Sequence, residues 1–493
     1  MPDILDMFSA QVSARPNIPA IIHAGSETSY ASLDELNRRI ASAVLNASSQ
    51  ITPKVLVAVR QSEYAYAAMF GTLLAGGTFC PINVDGPEHR NIHILQAFMP
   101  DVLLFDSYCP RIILDESPAV THRIDVHQLP RAELTNEPRE SSEVAYVVFT
   151  SGSTGQPKGV KAARKAVSFV VNSEQQFYRV QTGDRWSQYS NIGYDMGIMD
   201  ALQSLCHGAT LIPITGRRHR VMPAKAIKEN QITIWQSVPS VLELMIKAKQ
   251  VSLDLLASLR LMIFCGEPLF PYQLEILFKA CPELTVFNAY GTTETTGFNM
   301  LNRLTKENFR DSCASSTVAI GSEVQGWTLE LCGEGAPDEG EIVVIGDNLS
   351  LGYWRDEEQT RAAFRQWKLG SEIKRAYHTG DYGRRIGSNL YCQGRLDRQV
   401  KIRGERIELD EIDHLLRQAG YSAAFSIVYA GEVYSFVECD TYVDEAQVRT
   451  QLQKELPLHG MPKIIRQITS LPRNANGKFD RHELERLASG GTE

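Results

Sequence analysis

Short unbroken apolar runs alternate along the chain with segments whose apolar residues recur every three or four positions. "KVLVAV" (Lys54 to Val59), "VAYVVFT" (Val144 to Thr150) and "LRLMIFC" (Leu259 to Cys265) have the length and β-branched content of strands buried on both faces. Val241 to Lys249 and Tyr272 to Ala280 carry helical spacing instead. Buried strands alternating with helices predict an α/β architecture built on largely parallel sheets. The polar stretch "LTNEPRESSE" (Leu134 to Glu143) reads as a loop feeding the strand at Val144. Past residue 395 the pattern changes to a charged stretch, "GRLDRQVKIRGERIELDEID", followed by a second set of strand and helix patterns. There "AFSIVYAGEVYSFVECD" predicts two strands joined by a turn at Ala430-Gly431. We therefore expect a large N-terminal domain over residues 1–396 and a small α+β domain over residues 397–493. No internal repeat or low-complexity tract interrupts this plan.

Composition narrows the classes. A chain of 493 residues is too long for one ordinary core, in keeping with two domains. Hydrophobic residues at 43% and charged ones at 22% are ordinary for a water-soluble globular protein. A formal charge of −8 argues against non-specific binding of nucleic acid. The nine cysteines form no C-x-x-C pair, which suits free thiols in a reducing compartment. The opening "MPDILDMFSAQVSARPN" has early acids and no apolar core, so no signal peptide is expected there. No apolar stretch reaches the ~18 residues of a membrane span. The expected location is cytoplasmic.

The densest chemistry lies in "FTSGSTGQPKGV", Phe149 to Val160. Thr150, Ser151, Ser153 and Thr154 supply hydroxyls, Gly152 and Gly155 allow close backbone approach, and Lys158 supplies a cation. It is not a Walker loop. Counting from Gly152, that motif's second glycine falls on Pro157, and its Ser/Thr falls on Gly159. A hydroxyl-rich loop of this kind can close over a triphosphate, whereas an ordinary Ser/Gly tract is a surface loop.

The stretch resembles the phosphate-binding signature of the adenylate-forming enzymes: adenylation domains of nonribosomal peptide synthetases, acyl-CoA synthetases and beetle luciferases. "TSYASLDEL" (Thr28 to Leu36) and "LLAGGTFCPIN" (Leu73 to Asn83) resemble that family's first two motifs. "NAYGTTETT" (Asn288 to Thr296) is similar to its adenine and magnesium motif, and "GEIVVIGDNLSLGYW" (Gly340 to Trp354) to the next. "YHTGDYGRR" (Tyr377 to Arg385), the hinge motif at Gly394 to Asp413 and "NGKFDR" (Asn476 to Arg481) follow in order, so the resemblance spans essentially the whole chain.

That resemblance implies a fold, cofactors and roles. The fold is a large N-terminal domain with mainly parallel sheets and a small mobile lid domain. The cofactors are ATP and Mg2+, and the activity is that of a ligase. Transfer of AMP to a carboxylate builds charge on phosphate oxygens, so placed cations matter most. Lys478 would bridge carboxylate and phosphate, Thr293 would meet the α-phosphate, and Glu294 would ligate Mg2+ as a hard oxygen donor. Asn288 would meet the adenine edge and Tyr290 stack on the ring, with Gly266, Glu267, Ala289, Gly291 and Thr292 around them. Asp381 would take the ribose hydroxyls, supported by Arg395. Asp397 would be the hinge, and Gly404 would lie where the lid approaches a pantetheine arm. Outside the motifs, Glu294, Asp381, Arg395 and Lys478 would read as loop, turn and surface residues.

"NIGYDMGIMD" (Asn191 to Asp200) resembles the motif in which amino-acid activators pair an aspartate with the substrate ammonium. Asp195 holds that place; the alternative is a helix N-cap before "MGIMDALQSL". The other lining positions implied are Met196, Met199, Gln236, Ile263, Cys265, Ala289, Gly297 and Phe298, a small and mostly apolar set. "VPS", "FCGE" and "YDMGIMD" are nearest in wording to D-alanine–carrier-protein ligases. The implied substrate is a small amino acid, D-alanine or an L- or β-amino analogue. The chain ends soon after "NGKFDR", with no "GGxS"-like attachment site, so the expected acceptor is a separate phosphopantetheinylated carrier protein. An acyl- or aryl-CoA ligase shares most of these motifs and is the alternative. A non-catalytic relative would be expected to have lost Lys478, Glu294 or Asp381. Thr292 for proline, Gly197 for serine, Tyr382 for leucine, Cys392 for an aromatic and a loose "LPLHGMP" are departures from the family pattern.

Overall fold

The computed structural model describes residues 1–119, 121–129, 140–150, 157–333, 338–395, 398–439, 443–473 and 479–490. The chain divides into two compact units, one of residues 1–84, 95–149 and 159–396, the other of residues 85–94, 150–158 and 397–493.

In the larger unit the apolar runs become the middle strands of two sheets. One sheet has nine strands in the order Ser322–Glu323, Met300–Leu304, Thr285–Tyr290, Leu261–Cys265, Ile234–Ser237, Arg185–Gln188, Thr210–Pro213, Pro19–His23 and Ser26–Ser29. Its central pairings are parallel, and antiparallel strands close both edges. A second sheet runs His122–Asp125, Val102–Phe105, Lys54–Ala58, Thr78–Pro81, Val144–Thr150 and Lys158–Ala163. Parallel strands need crossovers, and the helices that supply them cover the sheets, which is why Leu261–Cys265 is buried at every position. A third sheet, five strands between Thr328 and Arg395, departs from the parallel expectation and is antiparallel throughout. Its longest strand, Glu372–Ile386, alternates part-exposed and buried positions from His378 to Gly383, as sheets with one wet face do.

The local expectations are met with small shifts. Val144–Thr150 is a strand over the predicted residues, while the run at Leu259 begins its strand two residues later, at Leu261. The two predicted helices start earlier, at Pro239 and Pro271, because proline in the first turn lacks only an N–H that the helix leaves unbonded anyway. The first ends at Lys247, two residues before Lys249 turns left-handed at φ 55°. Residues 134–139 of the expected loop lie outside the described residues, and 140–143 carry no helix or strand.

In the smaller unit, strands Ala423–Tyr429 and Glu432–Glu438 pair antiparallel and Ile464–Gln467 adds in parallel. Ala430 (φ 52°) and Gly431 (φ 78°) make the expected two-residue turn, left-handed at both positions as the twist of a hairpin favours. Within the charged stretch, Gln399–Ile402 and Glu405–Glu408 form a second hairpin through Arg403 and Gly404, followed by the helix Leu409–Gln418.

Candidate active site

The site is built outward from the strand Thr285–Tyr290, whose last three residues are Asn288, Ala289 and Tyr290. Because successive side chains point to opposite faces, one strand serves two neighbouring places. Asn288 is buried, and its amide donates to the carbonyls of Val318 (3.3 Å) and Ala319 (3.0 Å), which leaves its oxygen for other partners. Tyr290 reaches the third sheet, where its hydroxyl donates to Asp381 Oδ2 at 2.7 Å. Asp381 Oδ1 accepts from Arg395 Nη1 at 2.8 Å, and the two residues are cross-strand partners. Burial, followed by the neighbouring Asp381 charge, pushes the Tyr290 phenol well above its ordinary range, so it acts as a donor. Three residues singled out in separate motifs thus meet as one buried hydrogen-bonded group.

The turn after the strand is compact. Thr293, Glu294 and Thr295 form a single 3-10 turn, and the Thr295 hydroxyl closes it by accepting from Thr292 N at 3.1 Å. Glu294 is fully buried, with Oε1 accepting from the Tyr353 hydroxyl at 3.0 Å. Gly291 faces the backbone carbonyl of Gly297 so closely that no β-carbon fits between them. Thr296 (φ 53°) and Gly297 (φ 98°) are both left-handed, and this returns the chain to Phe298.

Next to it, Leu261–Cys265 pairs in parallel with both neighbours, placing Gln236 opposite Ile263 and Cys265 opposite Ala289. Cys265 Sγ lies 4.0 Å from Met196 Sδ, and a β-carbon on Gly266 would come within 3.8 Å of Met196 Cε. Gly266 follows the strand at φ 85°, and Glu267 accepts the Ser240 N–H at 3.0 Å. Asp195, Met196 and Met199 lie on the helix Asp195–Cys206. Asp195 is its first residue and Tyr194 holds the cap position, so the N-cap alternative does not describe it. Its Oδ1 accepts the Met196 N–H at 2.8 Å, and the side chain is part-exposed. Ile263, Cys265, Ala289 and Met199 share one buried cluster, against which Met196 and Phe298 pack.

Thr150 ends its strand buried, and among the described residues its hydroxyl makes no hydrogen bond. Lys158 begins the next strand. Ser151, Gly152, Ser153, Thr154, Gly155, Asp397 and Lys478 lie outside the described residues. Gly404 sits left-handed (φ 81°) in its hairpin turn.

Sequence reading passed over a buried polar group beside Phe298. Glu174 is buried on the helix Arg164–Tyr178; Oε1 accepts from Phe298 N at 3.4 Å and Oε2 from Gln203 Nε2 at 2.6 Å. Asp200 is buried on the next helix and accepts from Trp186 Nε1 at 2.9 Å. The signal for Asp200 was present, an acid on the apolar side of "MGIMDALQSL"; Glu174 had none, because "NSEQQ" reads as a wet helical face.

Among known proteins, the family model described as AMP-binding enzyme matches residues 8–354. The chain is 26% identical to a D-alanine--D-alanyl carrier protein ligase of Staphylococcus epidermidis, over 99% of this chain and all of that one. It is 29% identical to Gramicidin S synthase 2 of Brevibacillus brevis over 98% of this chain, which spans 11% of that much larger protein. Its fold superposes on the Vibrio cholerae adenylation domain AlmE, solved in complex with glycyl-adenosine-5'-phosphate. The TM-score there is 0.86 at 24% identity, over 99% of this chain and 98% of that one. IdnL7 gives a TM-score of 0.72 at 27% identity, over the whole of this chain and 99% of its own.

Proposed function

The chain belongs to the family of AMP-binding enzymes, and we propose that it activates a small amino acid as aminoacyl-AMP and passes it to a separate carrier protein. The observation that carries this reading is the strand Thr285–Tyr290. Its Ala289 lines up with Cys265 on the amino-acid side, while its Tyr290 ties into Asp381 and Arg395 on the nucleotide side. Two substrates that must react are thereby held from one rigid element, which supplies the orientation that makes their encounter effectively unimolecular.

The residues present suit both cofactors. Asp381, fixed by Tyr290 and Arg395, is a carboxylate suited to ribose hydroxyls. Glu294 offers hard oxygen in a rigid turn, the donor that Mg2+ takes; when bound, Mg2+ would neutralise charge on the phosphate oxygens. Thr150, Ser151, Gly152, Ser153, Thr154, Gly155 and Lys158 form the phosphate loop of this reading.

In the first step a carboxylate oxygen of the amino acid forms a bond to the α-phosphorus. The α–β phosphoanhydride bond breaks, and pyrophosphate leaves with that electron pair. Asp195 holds the substrate ammonium, and Lys478 supplies the cation at the developing charge. In the second step the carrier's pantetheine thiolate attacks the acyl carbon and AMP leaves as its phosphate anion. Asp397 is the pivot between steps in this reading, and Gly404 is near the acceptor. In this reading Met196, Met199, Cys265 and Phe298 suit a small apolar substituent, with Gln236 as the polar lining group. The curated relative named for D-alanine makes alanine the first substrate to test.

The test is ATP–pyrophosphate exchange with D- and L-alanine, glycine, serine, β-alanine, larger amino acids and a few fatty and aryl acids. Exchange with one small amino acid is expected. Exchange only with acids lacking an amine would replace this reading with an acyl- or aryl-CoA ligase.

A further inference from the structure

We propose that Glu174 is a positioning residue for the amino-acid pocket, pinning the Gly297–Phe298 loop to the helices Arg164–Tyr178 and Asp195–Cys206. The proposal rests on the amino-acid reading above and extends it to a residue that does not line the pocket.

The geometry is specific. Glu174 Oε1 accepts the Phe298 N–H, and Oε2 accepts the amide of Gln203, one helix away. The loop it holds is bent through two left-handed residues, Thr296 and Gly297, of which only the glycine adopts that conformation without cost. A β-carbon on Gly297 would meet Val170 Cγ1 at 2.5 Å and Glu174 Oε1 at 3.5 Å. One carboxyl therefore contacts the loop that carries Gly297 and Phe298 and the helix that carries Asp195, Met196 and Met199. If it moves, both walls of the pocket move.

The carboxyl has no charged partner among these groups. A backbone N–H, a primary amide and the Tyr178 phenol face it. Tyr178 in turn faces Asp200 from the helix Asp195–Cys206 and Cys265 from the strand Leu261–Cys265. Burial pushes Glu174 up to about 8, so at neutral pH it is an uncharged acid. Burial likewise pushes Asp200 well above the carboxylate range. Ionising Glu174 favours arrangements in which water reaches it, at the expense of the closed pocket. With its titration centred at about 8, closure weakens by at most about tenfold per pH unit above that value.

The experiment measures the KM for the amino acid and for ATP by exchange between pH 6.5 and 9.5. The proteins are wild type, Glu174→Ala and Glu174→Gln. In wild type the amino-acid KM should climb about tenfold between pH 7 and 9 while that for ATP follows far less. Glu174→Ala should raise the amino-acid KM about 10- to 50-fold at every pH, with kcat reduced less than threefold. Glu174→Gln keeps an oxygen for the Phe298 N–H without a titrating proton, so it should recover most of that loss and show no alkaline climb. A climb in Glu174→Gln equal to that of wild type would overturn the proposal, since deprotonation of the substrate amine acts alike on both. So would a folded Glu174→Ala with wild-type KM; if that variant does not fold, Glu174→Gln alone decides. Failure of wild type to use any amino acid would sink the reading of function instead.

Discussion

Tyr290 and Asp381 lie 91 positions apart in the chain, yet the tyrosine hydroxyl donates to the aspartate at 2.7 Å inside the core. With Arg395 on its other oxygen, Asp381 is locked in one orientation before any nucleotide arrives. A hydrogen bond to a charged group is typically worth ~1.5–3 kcal/mol, or roughly 10- to 100-fold in binding. Tyr290→Phe should raise the KM for ATP by about 10-fold, and Asp381→Asn, which also removes the carboxylate charge beside Arg395, by about 100-fold. Unchanged ATP dependence in both would remove them from the nucleotide site.

Lys478→Ala should cut adenylation at least ~100-fold while leaving the fold intact, because a cation aimed at developing charge typically supplies ~3–4 kcal/mol. Circular dichroism and exchange rates measured on one preparation decide it. A folded variant with full turnover would mean that the lysine has no role in this step.

Asp195→Ala separates the substrates. Breaking a buried charge pair costs ~3–5 kcal/mol, and Asp195 is part-exposed, so a loss near the lower end is expected. We expect kcat/KM for the amino acid to fall about 100-fold, with the KM for ATP within a few-fold of wild type. Equal losses for both substrates would mean a damaged helix start and no ammonium contact.

Gly291→Ala puts a methyl group against the Gly297 carbonyl, a backbone atom that cannot rotate aside. Overpacking of this kind costs about 1–3 kcal/mol or more. The expected result is a lower Tm and loss of exchange. Gly216→Ala, at a position with open space around the would-be β-carbon, should leave both unchanged.

Glu411 carries the pH prediction for the smaller unit. It is buried on the helix Leu409–Gln418, and burial pushes its pKa up to about 7 from the ordinary 4.5. The raised value means that the folded state holds a proton the unfolded chain has already released. Stability from this group is full below about 4.5 and is lost as pH rises to about 7. Glu411→Gln removes that loss, so its Tm relative to wild type should increase from pH 5 to pH 8. A constant difference across that range would show that Glu411 does not titrate as its burial implies.

What the chain disclosed beforehand follows from the range of the interactions. The strand Val144–Thr150 and the turn at Ala430-Gly431 were legible because their signals are local: a short apolar run, and a dipeptide that tolerates positive φ. The starts of two helices were misplaced because Pro239 and Pro271 stand outside the apolar repeat that defined them. The motifs located Tyr290, Asp381 and Arg395, but their shared hydrogen bonds depend on how two sheets meet. Glu174 was not legible at all. The hydrogen-bond donors that hold it, Gln203 and Phe298, are 29 and 124 positions away, and in sequence it looks like any solvated glutamate.

The close approach of Gly291 and Gly297 ties two neighbouring segments of the candidate site together. The first glycine lies in the stretch proposed to meet adenine and the second in the loop proposed to line the amino-acid pocket, and their backbones touch without side chains to cushion a shift. A displacement of one segment is therefore passed to the other through backbone atoms that cannot rotate aside.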